Sequence, residues 1–283
     1  MVKFISIKHS SFVSTHKKYG FCRLRIAKIK FLWYNVLIGL LYHTRAGVAR
    51  DFLQNPKDFS SPKGVFMSNY QYCFWDLDGT LTDSAPGITH SVRYAMEQMG
   101  KPVPPEQDLT CFIGPPLLYS FENYLGLSPA DSQLAVDHYR VCYRAGAMLE
   151  CNVYEGVRET LEELNRRGIV CVLATCKPHE FANAIIEHFD LKKYFAYVSG
   201  PEMDGTRNEK HEVITYALEN LGIPTPDVVL MVGDRRDDVV GAARCHMDCV
   251  GVEWGFGTEQ ELIDAGAKEV VFKPLELLRF FEG

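Results

Sequence analysis

The chain has 283 residues, of which 47% are hydrophobic and 23% are charged, and its formal net charge is −6. This length and composition allow one large or two modest folded domains with a sizeable core. The nine cysteines include no CxxC pair, which argues against a disulfide framework or a zinc site and favours the reduced thiols of a cytoplasmic protein.

Charge is divided unevenly along the chain. Residues 1–67 contain 12 Lys and Arg against 2 Asp and Glu, and the remainder contains 18 basic and 34 acidic residues. An acidic body makes nucleic acid a poor partner. The apolar run at 31–42 is shorter than the roughly 18 to 20 residues of a membrane span. We expect 1–67 to be a basic leader that is poorly ordered or not native, with Met67 as the natural start; an anchor or an import leader is the alternative.

The first predicted strand, residues 71–75, is an apolar run that ends in Asp76 and Asp78 and is followed by Gly79 and Thr80. Such a strand delivers both carboxylates to the carboxyl end of a parallel sheet, where α/β proteins bind ligands. One aspartate can attack phosphorus while a second protonates the leaving oxygen, so we predict Asp76 as nucleophile and Asp78 as acid/base. Thr80 is a candidate phosphate contact. An ordinary Asx turn is the alternative.

Residues 87–151 have helical periodicity and no convincing strand. Between two of the helical stretches lies the loop 112–117, whose Gly114 we predict as a substrate contact. The aromatic residues that follow this loop could instead be core residues of the helical region.

Strand and helix patterns alternate through the rest of the chain. Strands are predicted at 170–174, 195–199, 228–232, 248–252 and 269–272, and helices at 178–188, 209–221, 236–244, 258–265 and 274–281. Together with the first strand, this alternation predicts an α/β fold with a doubly wound parallel sheet.

Two of these elements present side chains suited to phosphate chemistry. Thr175 follows the strand at 170–174, with Lys177 close behind it as a possible phosphate or substrate contact. Lys210 opens a helix and can place a fixed positive charge against a phosphoryl group, where charge stabilisation is the main catalytic term. A lone lysine is more often an ordinary surface charge.

Asp234 ends the strand at 228–232, and Asp238 follows one helical turn later. Asp76 and Asp234 at adjacent strand ends would repel each other and a phosphate dianion unless a cation joined them. Oxygen ligands favour a hard ion, and Mg²⁺ is the natural choice. A Gly-Asp turn and an acid in the first turn of a helix are the alternatives.

These motifs occur in the order found in the haloacid dehalogenase-like (HAD) superfamily of phosphohydrolases, which residues 69–283 resemble. The resemblance implies that the metal is bound by the carboxylates of Asp76 and Asp234 and by the backbone carbonyl of Asp78, with Asp238 behind. It also implies that 87–151 is a helical cap inserted into a core formed by 68–86 and 152–283. Hinges are then expected near 84–87 and 153–156.

Dehalogenases that resemble this fold have no aspartate two residues after the nucleophile, because a halide leaving group needs no proton. By this resemblance, the presence of Asp78 implies that the substrate is a phosphate ester. We therefore expect a Mg²⁺-dependent phosphatase that hydrolyses a small metabolite, of the phosphoglycolate or nucleoside 5'-monophosphate type, through an aspartyl-phosphate. A phosphomutase and a non-catalytic binding protein are the alternatives. Basic cap residues that could meet a substrate carboxylate are few: Arg93, Arg140 and Arg144.

Overall fold

The structure is a computed structural model that describes residues 70–282. The predictions for the leader, residues 1–67, lie outside the described residues. Eight strands are described: β1 Tyr72–Trp75, β2 Thr82–Asp83, β3 Asn152–Val153, β4 Val170–Ala174, β5 Phe195–Ser199, β6 Val229–Gly233, β7 Asp248–Val252 and β8 Glu269–Val271.

The α-helices of the described part are α1 Ala85–Gln98, α2 Leu117–Asn123, α3 Pro129–Ala145, α4 Val157–Arg166, α5 His179–His188, α6 Lys210–Leu221, α7 Arg236–Arg244 and α8 Glu259–Ala265. Short 3₁₀ helices cover Glu106–Phe112, Ala147–Leu149, Lys192–Tyr194, Pro226–Val228 and Pro274–Phe281. No helix among residues 70–282 is long and apolar enough to cross a membrane.

Six strands form one parallel sheet in the order β5-β4-β1-β6-β7-β8. β1 lies inside the sheet between β4 and β6, so Phe74 and Trp75 are both fully buried but on opposite faces. Trp75 packs in a cluster with α4 and α5, and Phe74 packs with α6 and α7. Each such aromatic ring contributes about 2 to 3 kcal/mol by leaving water. The predicted doubly wound sheet is confirmed.

The sequence pattern located the six strands of the parallel sheet to within one residue, but it did not predict α4 or the short strands β2 and β3. α4 was missed although its apolar positions Val157, Leu161 and Leu164 have the spacing of an amphipathic helix. The helix predicted at 274–281 is present as a 3₁₀ helix, Pro274–Phe281. It begins with Pro274 and buries Leu277 and Phe281, a spacing that does not distinguish the two helix types.

The helical region between β2 and β3 has a hydrophobic cluster built mainly from α1, α2 and α3, and Phe181 of α5 joins it from outside the region. The chain enters this region after β2 and leaves it before β3, and these two strands pair antiparallel, with Thr82 opposite Val153. α1 already begins at Ala85, two residues before the predicted cap boundary. The two connections to the sheet therefore lie side by side and are hydrogen-bonded to each other.

Candidate active site

The turn after β1 holds the first two aspartates. The Asp76 backbone N–H donates to the Val232 carbonyl at 2.9 Å, which continues the ladder between β1 and β6 for one more residue. Gly79 then has φ = +84°, a left-handed conformation that costs glycine little, and its N–H donates to the Thr82 carbonyl at 2.8 Å. The strand thus ends in a closed turn that fixes Asp76 at the edge of the sheet.

Three carboxylates converge beside this turn. Ligand atoms of Asp76, Asp234 and Asp238 all lie within 4.8 Å of one another, and the three residues are 7%, 0% and 2% exposed. The Lys210 Nζ lies between two of them, donating to Asp76 Oδ1 at 2.6 Å and lying 2.7 Å from Asp238 Oδ1. The same ammonium donates to the Ala174 carbonyl at the end of β4, at 3.0 Å. Three neighbouring strands, β4, β1 and β6, therefore contribute to one charged cluster.

The titration of this cluster reflects its burial. Burial raises the pKa of Asp76 to about 6, with Lys210 opposing the shift and the Asp238 carboxylate adding to it. Burial also raises the pKa of Asp234 well above its usual value, and Asp238 and Asp76 add to the effect. The pKa of Lys210 is raised well above normal, because the neighbouring carboxylates of Asp238 and Asp76 outweigh its burial. The cluster therefore has more negative charge than one lysine can neutralise.

Asp234 is held by the turn and by the loop after β7. Its Oδ2 accepts the Phe256 backbone N–H at 2.8 Å, and its Oδ1 accepts the Thr80 hydroxyl at 3.3 Å. A Cβ on Gly79 would lie only 2.1 Å from Asp234 Oδ2, so the turn packs directly on this carboxylate. Thr80 is fully buried, and its hydroxyl points at the Asp234 carboxylate.

Asp238 has a structural role as well as a place in the cluster. Its Oδ2 accepts the backbone N–H of Arg235 at 3.1 Å and so caps the amino terminus of α7. The adjacent Asp237 is exposed to solvent.

Asp78 is turned toward a different lysine. Its Oδ2 accepts Lys177 Nζ at 2.7 Å, and both side chains are nearly buried, at 12% and 5% exposure. The Lys177 backbone N–H donates to the Thr175 hydroxyl at 3.2 Å, which ties the loop after β4 to the end of that strand. Asp78, Thr175 and Lys177 thus form a second group beside the carboxylate cluster.

Comparison with known proteins agrees with this arrangement. The sequence profile of the family described as haloacid dehalogenase-like hydrolase matches residues 73–252. The chain belongs to this family. It is a HAD-like hydrolase, and the family resemblance drawn from the four motifs is confirmed.

Several relatives carry the names of enzymes. The chain is 42% identical to a protein of Pseudomonas aeruginosa named 5'-nucleotidase, over 68% of this chain and 87% of that protein. It is 37% identical to the tyrosine-protein kinase PtkA of Mycobacterium tuberculosis, over 71% of this chain and 68% of that protein. A phosphoglycolate phosphatase of Pseudomonas savastanoi is 28% identical, over 70% and 74% of the two chains.

A solved structure supports the same fold. The crystal structure of a predicted phosphatase from Clostridium acetobutylicum is 41% identical, with a TM-score of 0.71, and the match covers 74% of this chain and 97% of that one.

The predicted substrate loop of this HAD-like hydrolase lies near α7. Gly114 is exposed at φ = +103°, and a Cβ added to it would meet only the Arg235 side chain, at 3.7 Å. Arg235 donates to the Ile113 carbonyl at 3.3 Å and pairs with Glu261 at 3.2 Å. The aromatic residues around the loop fall into two groups. Phe112 and Phe121 are buried in the core of the helical region, whereas Tyr119 and Tyr124 are exposed.

Two of the arginines proposed as carboxylate partners are occupied within the protein. Arg144 forms a two-point ion pair with Glu180 of α5, with nitrogen to oxygen distances of 3.3 and 3.1 Å. Arg140 donates to the Met203 carbonyl at 3.4 Å. Both contacts join α3 to segments outside the helical region.

Sequence reasoning missed two residues that contact the site. Tyr143 of α3 lies beneath Lys177, with its ring centroid 5.0 Å from Nζ, and Phe256 supplies a backbone donor to Asp234. Tyr143 sits at an ordinary buried position of a helical pattern, so no sequence signal marked it. Phe256 lies in the run Gly255 to Gly257, where two glycines signal a close backbone approach.

Proposed function

We propose that this HAD-like hydrolase is a Mg²⁺-dependent phosphatase that cleaves a small phosphomonoester through an aspartyl-phosphate on Asp76. The observation that carries the proposal is the convergence of Asp76, Asp234 and Asp238 within 4.8 Å at a buried sheet edge, with Lys210 in contact with two of them. Such a group of oxygen ligands is what a metal-assisted phosphoryl transfer requires.

The charge of the cluster fits a divalent cation. With all three carboxylates ionised, the cluster and its one ammonium carry an excess of two negative charges in a buried place, and the raised pKa values of Asp76 and Asp234 reflect the cost of this excess without a counter-ion. Every atom that could bind the metal is a hard oxygen, the ligand type that Mg²⁺ prefers. Asp76, Asp234 and the carbonyl of Asp78 would hold the ion, and Asp238 would orient a bound water. When bound, Mg²⁺ neutralises charge on the phosphoryl group and aligns it.

Each side chain of the site is then proposed to have its own role in the two steps of the reaction. A carboxylate oxygen of Asp76 attacks phosphorus, the bond from phosphorus to the ester oxygen breaks, and Asp78 gives its proton to that oxygen. In the second half Asp78 takes a proton from water, water attacks phosphorus, and Asp76 is released with inorganic phosphate. Lys210 and Thr175 are proposed to hold the phosphoryl oxygens.

Nucleoside 5'-monophosphates are the first substrates to test. The relative at 42% identity is named 5'-nucleotidase, whereas the phosphoglycolate phosphatase is 28% identical. A carboxylate substrate would want a free cation, and of the three basic cap residues Arg140 and Arg144 are engaged by Met203 and Glu180, which leaves Arg93 for that role. Phosphoglycolate is the second candidate.

The helical region is proposed as the lid of this site. We divide the chain into a core, 68–86 with 152–283, and a cap, 87–151. The β2 and β3 pair joins the two connections, so opening would bend both at once.

Cys73, Cys171 and Cys249 are buried as reduced thiols within the sheet, which supports the proposed cytoplasmic location.

The test is Asp76→Asn, assayed for phosphate release from 4-nitrophenyl phosphate and adenosine 5'-monophosphate with Mg²⁺. Turnover should vanish while circular dichroism and thermal unfolding still report a folded protein, and chelation should abolish wild-type activity. A base-labile phosphoryl group on Asp76, mapped by mass spectrometry during turnover, would identify the intermediate. Full activity of the variant would refute the proposal.

The same assays separate the alternatives. A phosphomutase would interconvert phosphate isomers without net phosphate release and would need a bisphosphate activator. Transfer of phosphate from ATP to tyrosine, as the name of the relative PtkA suggests for that protein, would also overturn the hydrolase proposal. A non-catalytic protein would bind metal and show no turnover of any ester.

A further inference from the structure

Each aspartate of the first motif has a lysine of its own. Lys210 contacts Asp76 at 2.6 Å, and Lys177 contacts Asp78 at 2.7 Å. The two lysines come from different elements, α6 and the loop after β4. A phosphate-binding role accounts for the position of Lys210 in the cluster. Lys177 is different, because its ammonium is paired with Asp78, the carboxylate that is proposed to transfer the proton.

The Asp78 carboxylate is bonded on one side only. Its Oδ2 receives the Lys177 ammonium, and its Oδ1 is buried and has no hydrogen-bond partner within residues 70–282. A buried carboxylate oxygen without a partner is destabilising, so its persistence calls for an explanation. A hydrogen bond to the ester oxygen of a substrate would satisfy it.

Lys177 is itself held from three sides. Its backbone N–H donates to the Thr175 hydroxyl, and its carbonyl packs against Gly200, where a Cβ would approach to 2.6 Å. Its ammonium lies 5.0 Å from the centre of the Tyr143 ring, a cation–π distance in a buried place. The lysine therefore has little freedom to turn toward a bound phosphate.

Tyr143 is fixed in turn by rings on both sides of the boundary between cap and core. It stacks on Tyr139 of α3 at 5.2 Å and meets Phe181 of α5 edge-on at 5.2 Å. The ring is 2% exposed. A cap residue thus completes the surroundings of the lysine that orients Asp78.

We propose that Lys177, clamped between Asp78 and the Tyr143 ring of the cap, is a positioning residue that holds Asp78 with Oδ1 free for proton transfer to the leaving oxygen. This inference rests on the proposed function. Lys177 keeps its own protons throughout: the proton that reaches the ester oxygen comes from Asp78, and the one that Asp78 regains comes from water. Lys177 makes no bond to phosphorus or to its oxygens.

The test uses leaving groups of different basicity. The ratio kcat/KM reports events up to loss of the leaving group, which is the step that needs the acid. Adenosine 5'-monophosphate loses an alkoxide and needs a proton, whereas 4-nitrophenyl phosphate loses a stable phenolate and does not. Asp78→Asn sets the reference and should lower kcat/KM on the alkyl ester by about 10² to 10⁴ and far less on the aryl ester.

Lys177→Met should reproduce this selectivity in weaker form. We expect a loss of about 10 to 100-fold on the alkyl ester and under tenfold on the aryl ester, with KM nearly unchanged. Tyr143→Leu should shift the ratio in the same direction, and Tyr143→Phe, which keeps the ring, should shift it less. Lys101→Met removes the ion pair with Asp131, which contacts none of the groups of the proposed site, and serves as the matched control.

Each outcome decides the matter. If Lys177→Met raises KM and lowers kcat/KM equally for both esters, Lys177 is a phosphate contact and the inference fails, although the phosphatase proposal survives. If Asp78→Asn itself shows no preference between the esters, Asp78 is not the acid, and the inference falls with that part of the proposed function. A crystal structure of Lys177→Met should show the Asp78 carboxylate rotated from its wild-type position; an unmoved carboxylate also refutes the positioning role. If Lys177→Met does not fold, the Tyr143 pair gives the same comparison.

Discussion

Replacing Gly79 by alanine probes the packing of the first turn on Asp234. Gly79 has φ = +84°, and a new Cβ would lie 2.1 Å from Asp234 Oδ2 and 2.7 Å from Cδ2 of Phe256. A left-handed conformation costs an L-residue about 1 to 2 kcal/mol. Overpacking in a tight site adds about 1 to 3 kcal/mol. We therefore expect Gly79→Ala to lower the free energy of unfolding by about 2 to 5 kcal/mol.

Gly100→Ala is the matched control for this substitution. Gly100 also has a positive φ, +62°, but a Cβ there meets nothing within 4 Å. It should show only the conformational cost, about 1 to 2 kcal/mol, partly offset by a stiffer unfolded chain. The difference between the two variants, about 1 to 3 kcal/mol, measures the clash with Asp234.

Urea unfolding of both variants and of the wild type gives the free energies, and phosphatase assays give the consequence for the site. Because the clash is with a proposed metal ligand, Gly79→Ala should also lose activity at temperatures where it is fully folded, whereas Gly100→Ala should not. Equal destabilisation by the two substitutions, with activity retained in Gly79→Ala, would refute the close packing of the turn on Asp234.

Three further predictions concern charge. Mg²⁺ at 100 times its Kd should raise the free energy of unfolding of the wild type by about 2.7 kcal/mol; Asp234→Asn should lose most of this gain in a thermal-shift titration, and an undiminished gain would place the ion elsewhere. Lys210→Met should lower kcat by about 10² to 10³, with Lys101→Met as the control that retains activity. Hydrogen bonds from Lys268 and Tyr70 lower the pKa of Asp248, so this pair stabilises the fold above the unfolded pKa of about 4 and the contribution is lost as the pH falls. Asp248→Asn should cost about 0.5 kcal/mol at pH 7, since the pair is exposed, and should flatten the acid side of the stability curve; a curve parallel to the wild type would contradict this.

The sequence predicted those parts of the site that follow from sheet geometry. Asp76 and Asp234 each end an apolar run, and parallel strands meet at one edge, so their convergence follows once β1 and β6 are neighbours. Lys210 opens a helix after β5, but its place in the site was predicted from the order of the family motifs, because a lone lysine is more often a surface charge. For the two aspartates, the strand alone carries the side chain to the edge of the sheet.

The partners of Asp78 could not be predicted in the same way. Lys177 belongs to a loop, and a flexible four-carbon stem reaches a phosphate or a carboxylate from the same backbone position. The ammonium that contacts Asp78 also lies 5.0 Å from the centre of the Tyr143 ring, and Tyr143 is distant in sequence and sits at an ordinary buried helix position. The pairing of β2 with β3 escaped prediction for a similar reason, because two-residue strands have no periodicity.

Two separate lysine partners explain how four aspartates can lie close together at the carboxyl ends of the strands. Lys177 is paired with Asp78 outside the carboxylate cluster, and the excess negative charge of that cluster lies on Asp76, Asp234 and Asp238 around Lys210. That excess is two charges, equal and opposite to one Mg²⁺. An entering phosphate dianion then finds a neutral cluster, and its own charge must be met by hydrogen-bond donors at the strand ends, such as the Thr175 hydroxyl. Moving the lysine of Asp78 to the phosphate would instead leave that aspartate unpaired and buried, at a cost of several kcal/mol. The charge balance therefore favours a lysine that orients the acid over one that binds the substrate.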